Sequence, residues 1–64
     1  MRLTDFWDRM GEHFGPGYAE SVARDQVIAE LGGRTVYEAI DAGIDTKEIW
    51  RAVCVRFEVP RKLR

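Results

Sequence analysis

The chain has 64 residues, 45% hydrophobic and 33% charged, with a formal net charge of −1. That length leaves room for one domain, since ~100–200 residues is usual per domain, and seven aromatic residues exclude a disordered chain. A domain this size buries only about 60% of its unfolded surface, which leaves little room for a deep substrate cleft.

Glycine and proline cut the chain into four helix-sized pieces, at Gly15-Pro16-Gly17, Gly32-Gly33, Gly43 and Pro60. The first is expected over about 4–14: Leu3, Phe6, Trp7, Met10 and Phe14 recur at helical spacing along one narrow stripe. Thr4 is its expected N-cap, Asp5 and Asp8 suit the positive end of the helix dipole, and Gly15-Pro16 stops it. Gly11 sits mid-helix at a cost of ~1 kcal/mol relative to alanine, for which close approach of another helix is a reason.

The second helix is expected over about 18–31, although Val22, Ala23, Val27, Ile28 and Leu31 spread around more than half of its wheel. Arg24 lies on the side of Val27, Ile28 and Leu31, beside Asp25, and one of these charges is expected to be partly buried and paired.

The third helix, about 36–42, opens with a capping box, Thr35 at the N-cap and Glu38 at N3, and ends at Gly43. The fourth, about 46–58, starts with the same device at Asp45 and Glu48, and Ile44 and Ile49 have the spacing of a hydrophobic staple. Ile49, Trp50, Ala52, Val53 and Phe57 share a face, and Val59-Pro60 ends the helix. No segment alternates as a strand does. The expectation is a single all-α domain over 1–64, a compact three- to four-helix bundle with a basic tail at 60–64.

The clearest functional signal is the spacing of Ala39, Gly43, Ile44 and Ile49. A small residue lets a second helix cross closely, glycine makes the turn, and two isoleucines lock the pair, as in a helix-turn-helix hairpin. In a DNA reader, Thr46, Lys47, Trp50 and Arg51 would face base edges, with Arg34 and the basic tail on phosphates. Any tightly crossed helix pair needs the same residues, however, and Asp45 and Glu48 at the start of the second helix repel phosphate. Residues 1–33 hold three arginines against six acids and residues 34–64 seven basic side chains against five acids. Domains that bind DNA alone are usually clearly basic.

Catalysis finds less support. Cys54 is the only cysteine, so no intrachain disulfide forms, and His13 is the only histidine, too few ligands for zinc. Cys54 reads as a small buried hydrophobe and His13 as a capping or surface residue. No cofactor, catalytic residue, metal site or small-molecule substrate is assigned. No apolar run approaches the ~18–20 residues of a membrane span, and acids occupy the N-terminal stretch where a signal peptide is apolar. A cytoplasmic protein without membrane contact is expected.

The aromatic residues are many for so small an interior. Any left at the surface marks an interface, where tryptophan and tyrosine are enriched. Tyr37 and Trp50, at the margins of their helices' apolar faces, are the candidates.

The opening Met1-Arg2-Leu3-Thr4-Asp5-Phe6-Trp7, with His13-Phe14-Gly15, Ala23-Arg24-Asp25, Leu31 to Val36, Trp50 to Cys54 and Val59-Pro60, resembles a small actinobacterial family, domain of unknown function 3046. The resemblance covers nearly the whole chain. It implies a short stand-alone cytoplasmic protein, often encoded near recombination and repair genes, and it defines no catalytic or binding residues. Many relatives have proline after the aspartate cap where this chain has Thr46.

The leading expectation is a non-enzymatic interaction module that binds a protein partner or itself. Its contact surface is the exposed side of the fourth helix plus the tail, drawn from Arg34, Tyr37, Lys47, Trp50, Arg51, Arg61, Lys62 and Arg64. The alternative is a DNA-associated helix-turn-helix protein linked to recombination or repair.

Overall fold

A computed structural model describes residues 1–63, and Arg64 of the expected contact set lies outside them. Four α-helices form: α1 (Leu3–Phe14), α2 (Pro16–Asp25), α3 (Val36–Asp41) and α4 (Thr46–Phe57). Two 3-10 turns, Ala29–Leu31 and Arg61–Leu63, complete the order. Among the described residues there is no strand, only an isolated antiparallel bridge between Ile28 and Arg34. The all-α bundle is as the sequence indicates.

The stripe of α1 turns inward, with Phe6 and Met10 fully buried and Trp7 and Phe14 half-buried against the core. Thr4 is not its cap. The Phe6 N–H already donates to the Arg2 carbonyl at 3.0 Å, so the helix starts earlier. Residue 1 is held instead by tertiary contact, since the Thr46 hydroxyl donates to the Met1 carbonyl at 2.6 Å. Gly11 is not needed for close packing either. A Cβ built there meets nothing within 4 Å, so Gly11→Ala should raise stability by about 1 kcal/mol in urea unfolding.

Pro16 opens α2 rather than merely ending α1, at a first-turn position where a missing N–H costs nothing. The helix then stops at Asp25, well short of the expected Leu31. Gln26 and Ile28 are extended, the Ile28 N–H donates to the Arg34 carbonyl at 2.9 Å, and Gly32 and Gly33 take positive φ to reverse the chain. This loop buries Ile28 and Leu31 while leaving Val27 exposed. The diffuse apolar wheel was the trace of two structures read as one. Arg24 is paired with Glu20 and Asp25, at 3.9 and 3.5 Å, but it is exposed rather than partly buried.

The hairpin of α3 and α4 follows its local grammar closely. Thr35 Oγ1 accepts from the Glu38 N–H at 3.1 Å and Glu38 Oε1 accepts from the Thr35 N–H at 2.9 Å. At the other end the Ile44 N–H reaches the Ala39 carbonyl and the Gly43 N–H the Ile40 carbonyl, a Schellman motif with Gly43 at φ 82. A side chain there is strained, so Gly43→Ala should lower the unfolding free energy by about 1 kcal/mol, read from thermal denaturation. The capping box expected at α4 is not made among the described residues: Asp45 caps the helix, but its Oδ1 accepts from the N2 Lys47 N–H at 3.0 Å rather than from the N3 Glu48 N–H.

α4 ends at Phe57, with Glu58 left-handed at φ 52 and the Val59 N–H on the Cys54 carbonyl. The tail is not simply solvated. Val59 is buried, and Leu63 on the second 3-10 turn packs against the core while Arg61 and Lys62 stay exposed.

Candidate functional site

Helix α1 is flanked by two shallow open grooves of unlike charge. Its Asp5 and Arg9, one turn apart, face α4, while Trp7, Asp8, Gly11 and Glu12 face α2 and α3. A spacing of two residues on a helix is about 200°, so alternate flanks are a direct consequence of helical geometry.

The α1–α4 groove encloses about 700 Å³. Trp50 and Cys54 contribute to it from the buried face of α4, and Lys47, Arg51 and Val55 from its outer face at i, i+4 and i+8. Met1 and Val55 leave apolar surface at its rim, at 42% and 53% exposure. Arg9, Lys47 and Arg51 outnumber Asp5, so the groove is net cationic.

Trp50, expected near the surface, is a core residue at 4% exposure. Its ring packs edge-on against Phe6 at 6.1 Å between centroids. Ile49 and Val53 on either side of it are fully buried, and with α4 seated on the core Trp50 is covered by Phe6 of α1. Its Nε1–H is buried and has no acceptor among the described residues. Cys54 is buried, as expected for a small hydrophobe.

The second groove, about 710 Å³, lies among α1, α2 and α3. Trp7 and Tyr37 meet there with centroids 5.5 Å apart at 41°. Tyr37 is 40% exposed, so of the two aromatic candidates this one stays at the surface. Asp8, Glu12 and Glu20 line the same groove, with no basic side chain among its lining residues. The rings connect the two flanks through the core, Trp50 to Phe6 to Trp7 to Tyr37.

The expected contact set is therefore divided. Lys47, Trp50 and Arg51 line one groove and Tyr37 the other. Arg34 lines neither; its guanidinium donates to the Leu31 carbonyl at 3.0 Å and closes the loop before α3. Sequence reasoning missed Met1, Asp5 and Arg9 on one flank and Trp7, Asp8, Gly11 and Glu12 on the other. The mid-helix Gly11 was the one local signal, because its cost had no packing return.

No helix among the described residues is long and apolar enough to cross a membrane. No curated relative and no solved structure matches the chain. A family model described as "Protein of unknown function (DUF3046)" matches residues 1–62, and the chain belongs to that family.

Proposed function

We propose that the chain is a small protein-binding module whose α1–α4 groove receives an acidic segment of a partner. One observation carries this reading: Arg9, Lys47 and Arg51 surround a groove that also holds apolar surface from Met1 and Val55. Charge steers such an encounter and apolar contact holds it. In this reading the groove acts by recognition rather than catalysis.

The DNA-associated reading draws support from the well-formed turn at Gly43. Against it stand the positions that would read bases. Thr46 is engaged with Met1, Trp50 is buried, and Asp45 and Glu48 are exposed at the start of α4. Only Lys47 and Arg51 remain there, few for phosphate-driven affinity.

The test is an amide NMR titration of the labelled chain with an acidic peptide, acetyl-Glu-Leu-Asp-Glu-Leu-amide, and separately with a mixed-sequence DNA duplex. The peptide should shift Lys47, Arg51 and Val55, and Arg51→Glu should weaken it about tenfold or more without lowering the thermal midpoint. Salt-reversible shifts from the duplex alone, over Arg34 and Thr46 to Arg51, would replace this reading with the DNA one.

A further inference from the structure

The groove on the opposite flank of α1 has a different chemistry. Its walls combine two aromatic rings, Trp7 and Tyr37, with three carboxylates, Asp8, Glu12 and Glu20. Arg24 approaches Glu20 at 3.9 Å from outside the lining, an exposed pair of little strength. An acidic rim over aromatic faces is matched by a flat cation. A guanidinium stacks on tryptophan or tyrosine while its edge donates to carboxylates, and it sheds water more readily than an ammonium does.

Gly11 adds an independent observation. In an α-helix the patch covered by a side chain lies over the turn N-terminal to its own Cα. A side chain at position 11 would therefore spread over Trp7 and Asp8. No neighbour requires glycine here, since a Cβ meets nothing within 4 Å. The residue that weakens α1 is the one whose absent side chain leaves the Trp7 ring open to the groove.

We infer that the α1–α2–α3 groove is a docking site for an arginine-bearing peptide segment, with Trp7 and Tyr37 stacking the guanidinium and Asp8 and Glu12 accepting its N–H donors. The occupant is chosen by charge: the lining residues are acidic or uncharged throughout. The inference stands apart from the α1–α4 reading, because neither its residues nor its ligand charge are shared.

The full chain, labelled with nitrogen-15, would be titrated with acetyl-Gly-Arg-Gly-Arg-Gly-amide and with its lysine and glutamate counterparts. The arginine peptide should give saturable shifts at the Trp7 indole N–H and the Gly11 and Tyr37 amides. The lysine peptide should bind several-fold more weakly, and the glutamate peptide should leave these signals unmoved. Asp8→Asn with Glu12→Gln should weaken the arginine peptide about tenfold. Gly11→Leu should abolish binding while keeping or raising the thermal midpoint, which separates a blocked groove from a damaged fold. Equal response to lysine and arginine, undiminished binding by either variant, or no response at all would overturn the proposal. So would the same shifts appearing on concentration without peptide, which would give the groove to a second copy of the chain. The α4 signals, read in the same spectra with the acidic peptide, report on the other groove separately.

Discussion

Phe6→Ala should remove a large part of this protein's stability and shift its urea midpoint far below that of the parent. Phe6 is fully buried and packs against Trp7 and Trp50 with ring centroids 5.3 and 6.1 Å away, at steep interplanar angles. Removing a buried phenylalanine costs about 3–5 kcal/mol, from lost transfer energy and from the cavity left behind. At 0.05–0.15 kcal/mol per residue, a chain of this length has roughly 3–10 kcal/mol in total. The two figures overlap, so one side chain carries a large part of the stability. Far-ultraviolet circular dichroism in urea would show it. A midpoint within experimental error of the parent would mean that the aromatic chain through the core is not where the stability lies.

Trp50 offers a sharper comparison because two opposed effects act on one residue. Trp50→Ala should cost about 3–5 kcal/mol, as for any large buried ring. Trp50→Phe also loses ring area, but it removes an Nε1–H that is buried without an acceptor among the described residues. Leaving such a donor unpaired costs about 1–3 kcal/mol, similar to the area lost. Trp50→Phe is therefore expected within about 1 kcal/mol of the parent, far above Trp50→Ala. If the phenylalanine variant is as unstable as the alanine one, the indole N–H has a partner in solution.

The capping box and turn of the α3–α4 hairpin were legible in the sequence, because their determinants are local. Thr35 and Glu38 close a ring of four residues, and Gly43 is needed where the chain turns left-handed. Such contacts are formed between near neighbours, so spacing alone reveals them. The second helix misled because periodicity does not distinguish a helix from a loop that returns the same side chains to the core. Ile28 and Leu31 are buried as an amphipathic helix would bury them, yet by an extended residue and a tight glycine turn. Thr4 misled for a related reason. A good cap is dispensable when the helix start is tied to a distant residue, here Thr46 through Met1.

The candidate contact residues were half legible. Lys47 and Arg51 lie one turn apart on α4, and that pairing is written in their spacing. Their meeting with Arg9, and the meeting of Trp7 with Tyr37, join residues far apart along the chain.

The helical class, the Thr35–Glu38 capping box, the turn at Gly43 and the apolar faces of α1 and α4 follow from the sequence alone. Each of these rests on side chains within about one or two helical turns of one another. That Trp50 is covered while Tyr37 is not, and that α1 separates a cationic groove from an acidic aromatic one, depends instead on how the helices pack. Burial of a residue at the edge of an apolar face depends on the crossing of the neighbouring helix. That crossing is set by packing of the whole core, which no single stretch of sequence contains.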